Sequence, residues 1–141
     1  MFVMLICARR SLARSLIPIA LCISAFLVGC GKKGVEAELQ TFKDAGRNVS
    51  AFTDTNAAAL GAQRCQTGTL DGVQTLLCEF GSSEAATAGL PAAQLWLGDA
   101  HSGLVLRRDL VILALADRNE ADPSGQSMSS LIKIFRRTSR K

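Results

Sequence analysis

Among the residues of this sequence that could take part in a chemical reaction, two cysteines on either side of an Asp-Gly turn give the clearest prediction. Asp71-Gly72 is typical of a two-residue β-hairpin turn and lies midway between Cys65 and Cys78. Counting outward from the turn places Cys65 opposite Cys78 as a non-hydrogen-bonded pair, with Cα atoms about 4.5 Å apart. That separation predicts a disulfide. One alternative is two small buried thiols. The other is a zinc or redox site, which neither C-x-x-C spacing nor a nearby histidine supports.

A second group of polar side chains lies in the loop at 117–122. Its oxygen atoms could bind calcium or supply carboxylates to an enzyme, but the residue order of an EF-hand and its distant bidentate glutamate are missing. We therefore favour a strand exit followed by a helix cap, with Pro123 at the first helical position. The oxygen-bearing residues are Asp117, Asn119, Glu120 and Asp122.

The single histidine, His101, lies between Asp99 and Ser102. A catalytic triad requires convergence in space and an oxyanion hole rather than a short linear run, so an exposed loop is predicted here. The chain has no tyrosine and none of the common nucleotide-binding, hydrolase or metalloprotease motifs. These features favour a non-catalytic domain without a cofactor.

The C-terminal segment is predicted to be an amphipathic helix with a cationic side. Its apolar residues recur at helical spacing, and its basic residues repeat that spacing on the opposite side. We predict either a solvated helix face or a contact with an anionic surface, such as membrane phosphates. The apolar residues are Met128, Leu131, Ile132 and Phe135, and the candidate contact residues, called the cationic strip below, are Lys133, Arg136, Arg137 and Arg140.

The first thirty residues have the composition of an export signal. Arg9, Arg10 and Arg14 precede an apolar stretch at 16–28. That stretch is shorter than the roughly 20 residues that a transmembrane helix needs. A twin-arginine signal and an uncleaved signal anchor are the alternatives to an ordinary cleaved signal.

The end of this segment, Leu27-Val28-Gly29-Cys30, resembles a bacterial lipobox. The resemblance implies a signal peptide at 1–29, cleavage by signal peptidase II, diacylglycerol on Cys30 and a short tether at 30–34. It also implies a location in the bacterial cell envelope, held by lipid. Gly31 after the cysteine favours the outer membrane under the sorting rule of enteric bacteria.

The formal charge of the mature chain offers no support for nucleic-acid binding. The whole sequence has 16 lysines and arginines against 12 acidic residues. Three of the arginines belong to the predicted signal, so the remainder is nearly balanced. We therefore expect a partner other than nucleic acid.

Apolar spacing predicts the elements that would hold these residues. An interrupted helical segment is expected at 35–62 and a ββαββα domain at 63–141. The first helix of that domain is expected to break at Gly89 and Pro91, with Trp96 in the core. The predicted fold is α+β, with an N-terminal helix, tandem ββα units and an antiparallel sheet of about four strands packed against helices.

These observations predict a membrane-anchored envelope lipoprotein with a small non-catalytic binding or structural domain. Its partners would be the membrane, through the lipid, and a protein or envelope polymer. A small-ligand or metal-ion binder and an enzyme using the carboxylates at 117–122 are the alternatives.

Overall fold

A five-stranded antiparallel sheet with helices on both faces forms the part of the chain described by the computed structural model, residues 34–137. The predicted α+β class is therefore confirmed. All of these residues belong to one unit, Gly31–Lys141, and none of their helices is long and apolar enough to cross a membrane. The predicted signal peptide, the predicted lipidation site Cys30 and Arg140 of the cationic strip lie outside the described residues. In chain order the elements are α1 (Val35–Asp44), β1 (Thr53–Thr55), a 3-10 turn (Ala58–Leu60), β2 (Arg64–Leu70), β3 (Val73–Glu79), α2 (Ser83–Leu97), β4 (Ser102–Arg108), β5 (Val111–Asp117) and α3 (Gln126–Arg137).

The strand order is β1-β2-β3-β5-β4. The β2–β3 hairpin turns at Asp71 and Gly72, which both have positive φ (52° and 85°), as a type I′ turn requires. Strand β5 lies between β3 and β4, and all seven of its residues are buried. The apolar run at 110–116 predicts a strand that is covered on both faces or central in the sheet. Strand β5 is that strand, although it begins at Val111 and leaves Leu110 exposed.

Each face of the sheet carries its own apolar core. Side chains alternate between the two faces along each strand, so neighbouring residues of β5 enter different cores. Leu113 packs on the α1 and α3 face with Phe42 and Phe135. Ile112 and Phe80 pack on the opposite face under α2.

The segment at 35–62 is less helical than predicted. Helix α1 ends at Asp44, and the later part contains the short strand β1 and one 3-10 turn in place of a second helix. Strand β1 is the fifth strand, which the prediction of about four did not include. It has only three residues, all exposed, and pairs with β2 through its backbone, so it lacks the apolar alternation that identifies a half-buried strand.

Helix α2 is continuous from Ser83 to Leu97, so the predicted break at Gly89 and Pro91 is wrong. Gly89 is buried against the Phe80 ring and the Leu60 carbonyl, where close packing to the sheet requires a residue without a side chain. Pro91 is exposed, as is Thr87 one turn before it, so water can solvate the carbonyl that loses its hydrogen bond. Packing therefore overrides the two helix-breaking residues.

Candidate binding groove

The predicted disulfide between Cys65 and Cys78 is present. The two Cα atoms are 4.1 Å apart, and both residues are buried in the core beneath α2. This bond links β2 to β3 covalently, and the burial of both cysteines indicates a structural role.

The loop carboxylates at 117–122 are largely engaged by the backbone. Asp117 accepts hydrogen bonds from the N–H groups of Ala121 (2.8 Å) and Asp122 (3.0 Å). Asp122 accepts from the Met128 N–H at 2.8 Å, and this bond is the leading reason that its pKa lies below the usual value. Within residues 34–137, no three acidic, histidine or cysteine side chains are placed to hold a metal ion.

His101 is exposed and lies beside Glu120, with Nε2 to Oε1 at 3.5 Å. Its own backbone N–H donates to the Asp117 carbonyl at the end of the sheet. Ser102 lies at the start of β4, and its hydroxyl contacts the Met128 sulfur at 3.5 Å rather than the imidazole. The linear Asp-His-Ser run is therefore not assembled as a triad.

The described cations of the strip, Lys133, Arg136 and Arg137, are exposed on α3, while Leu131 and Phe135 are buried. This division of the helix into an apolar and a basic side matches the predicted amphipathic pattern, except that Ile134 rather than Ile132 packs against the core.

A concavity, called the groove below, lies where the C-terminal end of α2 leaves the sheet uncovered. Its volume is about 430 Å³, within the range of small-ligand sites. Threonine side chains of β1 and β2 form its floor, and Trp96 of α2 and Arg118 after β5 close one side. The lining residues are Ala51, Thr53, Thr67, Gly68, Thr69, Gln74, Thr75, Trp96 and Arg118.

Arg118 holds the Trp96 side of the groove in place. Its guanidinium lies 4.6 Å from the centre of the indole ring, a cation–π contact. The same group donates hydrogen bonds to the carbonyls of Trp96 and Leu97, the last residues of α2, and to the Gln74 side-chain oxygen. One cation thus fixes the helix end, the aromatic ring and an amide of β3.

The threonines of the groove offer free hydroxyl groups. Thr53 pairs with Thr67 across β1 and β2, and Thr69 lies two residues further along the same face. None of these three hydroxyls makes a hydrogen bond within the described part of the chain. Each can therefore donate to and accept from a bound molecule.

Taken together, the groove provides hydroxyl groups, an amide, one aromatic ring and one fixed positive charge. No carboxylate or imidazole lines it among the described residues. This chemistry suits hydrogen bonding and stacking against a polar, uncharged or weakly anionic molecule.

No protein-family model, no curated protein and no solved structure matches the chain.

Sequence reasoning did not identify this groove. It placed Trp96 in the core, whereas the indole is only partly buried and borders the groove on its other side. The one available signal was the alternation of Thr67 and Thr69 on a single strand face. Arg118 contributes to the groove because the fold brings the end of β5 beside the end of α2. No local sequence pattern predicts that arrangement.

Proposed function

We propose that the chain is a bacterial envelope lipoprotein, lipid-anchored through Cys30, whose folded domain binds an envelope component without catalysing a reaction. The lipobox and the preceding export signal support the anchor, and Gly31 favours the outer membrane. We also propose that the mature chain is an N-terminal helix followed by two ββα units. A buried disulfide is in keeping with an oxidising compartment outside the cytoplasm.

The groove is the proposed binding site. The observation that carries this proposal is the set of three threonine hydroxyls, without a partner among the described residues, that line the groove with a tryptophan whose ring is fixed by Arg118. Such a surface suits an extended, hydroxyl-rich polymer, because sugar rings present apolar faces to aromatic side chains and hydroxyls to polar ones. We therefore propose a glycan strand of the envelope as the partner.

The position of the groove agrees with a membrane anchor. It lies at the end of the sheet where β5 ends, whereas Gly34, next to the tether, lies at the end where β5 begins. The length of a seven-residue strand, about 20 Å, separates these two ends. A domain tethered by Cys30 would therefore present the groove away from the bilayer.

Co-sedimentation of the purified lipidated protein with cell-wall sacculi tests this proposal. Trp96→Ala should weaken binding about tenfold, because loss of a stacking aromatic costs on the order of 1 kcal/mol beyond its buried area. Thr67→Val removes a hydroxyl at nearly constant shape and should weaken binding about threefold or more.

Two matched variants serve as controls. Leu95→Ala changes an exposed neighbour of Trp96 on α2, and Thr55→Val changes an exposed threonine of β1 that does not line the groove. Neither should affect sedimentation. If the wild-type protein does not sediment with sacculi while a protein is crosslinked next to Trp96, the partner is a protein and the glycan proposal is wrong.

The loop at 117–122 supports the non-catalytic proposal. Both carboxylates that an enzyme or ion site would need, Asp117 and Asp122, accept hydrogen bonds from backbone N–H groups. A metal ion or a proton transfer at these carboxylates would compete with those hydrogen bonds.

A further inference from the structure

A second concavity lies at the opposite end of the domain, between the start of α1 and the turn from β4 to β5. Its volume is about 280 Å³. It opens beside Gly34, the first described residue, and the exposed side chain of Leu110 stands at its rim. The lining residues, called the amine pocket below, are Gly34, Ala37, Glu38, Glu79, Arg108, Asp109, Leu110 and Val111.

Glu38 is the unusual residue of this pocket. Its side chain is only 6% exposed, and one carboxylate oxygen, Oε1, pairs with Arg108. The other, Oε2, is buried and has no hydrogen-bond partner among residues 34–137. A buried carboxylate oxygen without a donor is costly and uncommon in native proteins.

Arg108 has little capacity left for a ligand. Its guanidinium also donates to the Phe135 carbonyl and lies 4.5 Å from the centre of the Phe135 ring. Burial lowers the pKa of Arg108, yet a guanidinium remains charged at neutral pH. Arg108 therefore neutralises Glu38 without reaching its second oxygen.

Two further carboxylates line the same pocket. The side chains of Glu79 and Asp109 make no hydrogen bond or ion pair within residues 34–137. With Glu38 and Arg108, they give the pocket a formal excess of two negative charges. Glu79 lies directly against Gly34, where any side chain would collide with its carboxylate, so the glycine leaves room for this arrangement.

The pocket suits an organic cation better than a metal ion. Its carboxylates do not converge as a three-ligand metal set among the described residues. Much of its wall is apolar, formed by Ala37, Leu110 and Val111. Methylene groups could contact that wall while a charged nitrogen faces the carboxylates.

We propose that the amine pocket binds a primary ammonium group. An ammonium has three N–H donors, which can meet Glu38 Oε2 and the Glu79 carboxylate and leave one for water or Asp109. The buried Oε2 atom then gains a donor that no residue of 34–137 supplies.

The ammonium could belong to an aminophospholipid headgroup or to a small soluble amine. The lipid source rests on the proposed anchor, because a lipidated Cys30 would hold Gly34 within about 15 Å of the bilayer at four residues of extended chain. The ammonium site itself does not depend on that anchor.

The test uses the full lipidated protein in nanodiscs of phosphatidylethanolamine or of phosphatidylcholine. The second lipid has the same phosphate but a quaternary nitrogen without N–H donors. We expect NMR shifts of the Glu38, Leu110 and Val111 amides that differ between the two membranes. Detergent-solubilised protein is titrated in parallel with ethanolamine phosphate and with choline phosphate.

Glu79→Gln is the decisive variant, because that carboxylate has no partner within the described residues and its loss should leave the fold intact. It should weaken ethanolamine phosphate binding about threefold to fivefold, as expected for one partly exposed charge. Asp99→Asn, an exposed carboxylate at the other end of the domain, is the matched control and should have no effect. Glu38→Gln should weaken binding further.

Each outcome has a definite meaning. If ethanolamine phosphate shifts these amides but the two kinds of nanodisc give the same spectra, the ammonium site stands and the lipid source is overturned. Absence of shifts in both arms, or equal binding of wild type and Glu79→Gln, would overturn the site. Metabolic labelling with a fatty-acid analogue measures lipidation of Cys30 separately. A protein without the lipid anchor can therefore be distinguished from one whose pocket binds no amine.

Discussion

Asp122 stabilises the start of α3 although it lies four residues before the first helical residue, Gln126. Its carboxylate accepts hydrogen bonds from the Met128 N–H and the Ser124 hydroxyl. Sequence analysis predicted that Asp122 caps the last helix with Pro123 at its first position. The capping carboxylate is correct, but the helix begins three residues later because Pro123 and its neighbours form a turn closed by the Gly125 N–H and the Asp122 carbonyl.

This contact predicts a specific pH dependence. Backbone N–H donors, Met128 first, hold the pKa of Asp122 below its usual value. The resulting stability is present above the unfolded-state pKa of about 3.9 and is lost as the pH falls through the lower folded-state pKa. Asp122→Asn should therefore lower the melting temperature at pH 7, and the difference from wild type should shrink below about pH 4.

Thermal melts of the two proteins from pH 7 to pH 2 measure this difference. Asp99→Asn controls for the removal of one exposed carboxylate. A melting-temperature difference that stays constant down to pH 2 would show that the charge of Asp122 does not stabilise α3.

The disulfide predicts a large change in stability from one substitution. Cys78→Ala should lower the free energy of unfolding by about 3 kcal/mol, the loop-closure contribution expected for a separation of 13 residues. Urea denaturation in the absence of reductant measures this change. Reduced wild-type protein should approach the variant's stability, and alkylation of both cysteines in native, unreduced protein would contradict the prediction.

At the scale of elements, α2 shows packing overriding helix propensity. Gly89→Ala would ordinarily stabilise a helix by about 0.5–1 kcal/mol. Here the added Cβ would lie 2.6 Å from atoms of the buried Phe80 ring and 3.0 Å from the Leu60 carbonyl oxygen. Overpacking of this kind costs about 1–3 kcal/mol, so we expect net destabilisation of about 1–2 kcal/mol.

Chemical denaturation of the variant checks the sign. Gln94→Ala, at an exposed position of the same helix, is the control and should leave stability unchanged or slightly raised. An increase in stability for Gly89→Ala would mean that α2 can move away from Phe80 at little cost.

The elements that sequence reasoning recovered are those with strong local signals. The Asp71-Gly72 turn set the β2–β3 register, and the apolar run ending at Ala116 identified β5. Strand β1 and the groove escaped because they depend on partners distant in sequence. Thr53 is ordered by pairing with β2, and Arg118 meets Trp96 only after β5 has entered the sheet between β3 and β4.

At the scale of the whole molecule, the two concavities lie at opposite ends of the domain, one beside Gly34 and the proposed tether and one remote from them. The proposed anchor predicts that Cys30→Ser leaves the precursor uncleaved or releases the protein from its normal membrane fraction. Fractionation, gel mobility and fatty-acid labelling measure the effect. An unlabelled wild-type protein whose Cys30→Ser form fractionates and migrates identically would rule out a lipoprotein.

The cationic strip predicts salt-dependent attraction to membranes. Helix α3 ends beside Arg108, at the same end of the domain as Gly34, so Arg136 and Arg137 would face the bilayer of an anchored protein. We propose that these cations contact lipid phosphates, each contributing about 1 kcal/mol at low salt.

A soluble chain beginning at Gly34 should therefore float with anionic vesicles at low salt and dissociate as salt is added. Charge reversal at Arg136, Arg137 and Arg140 should abolish flotation without changing the melting temperature. Lys43→Glu, at the far end of α1, is the control. A chain that does not float at low salt would leave the strip as a solvated helix face.

The local nature of the disulfide has a consequence for the order of folding. Cys65 and Cys78 close a short hairpin, whereas the pairing of β3 with β5 joins residues roughly 30 to 40 positions apart, with α2 between them. The hairpin can form and oxidise before the centre of the sheet assembles. An exported chain would thus acquire a covalently closed template for the remaining strands early, and reduction should slow refolding as well as weaken the native state.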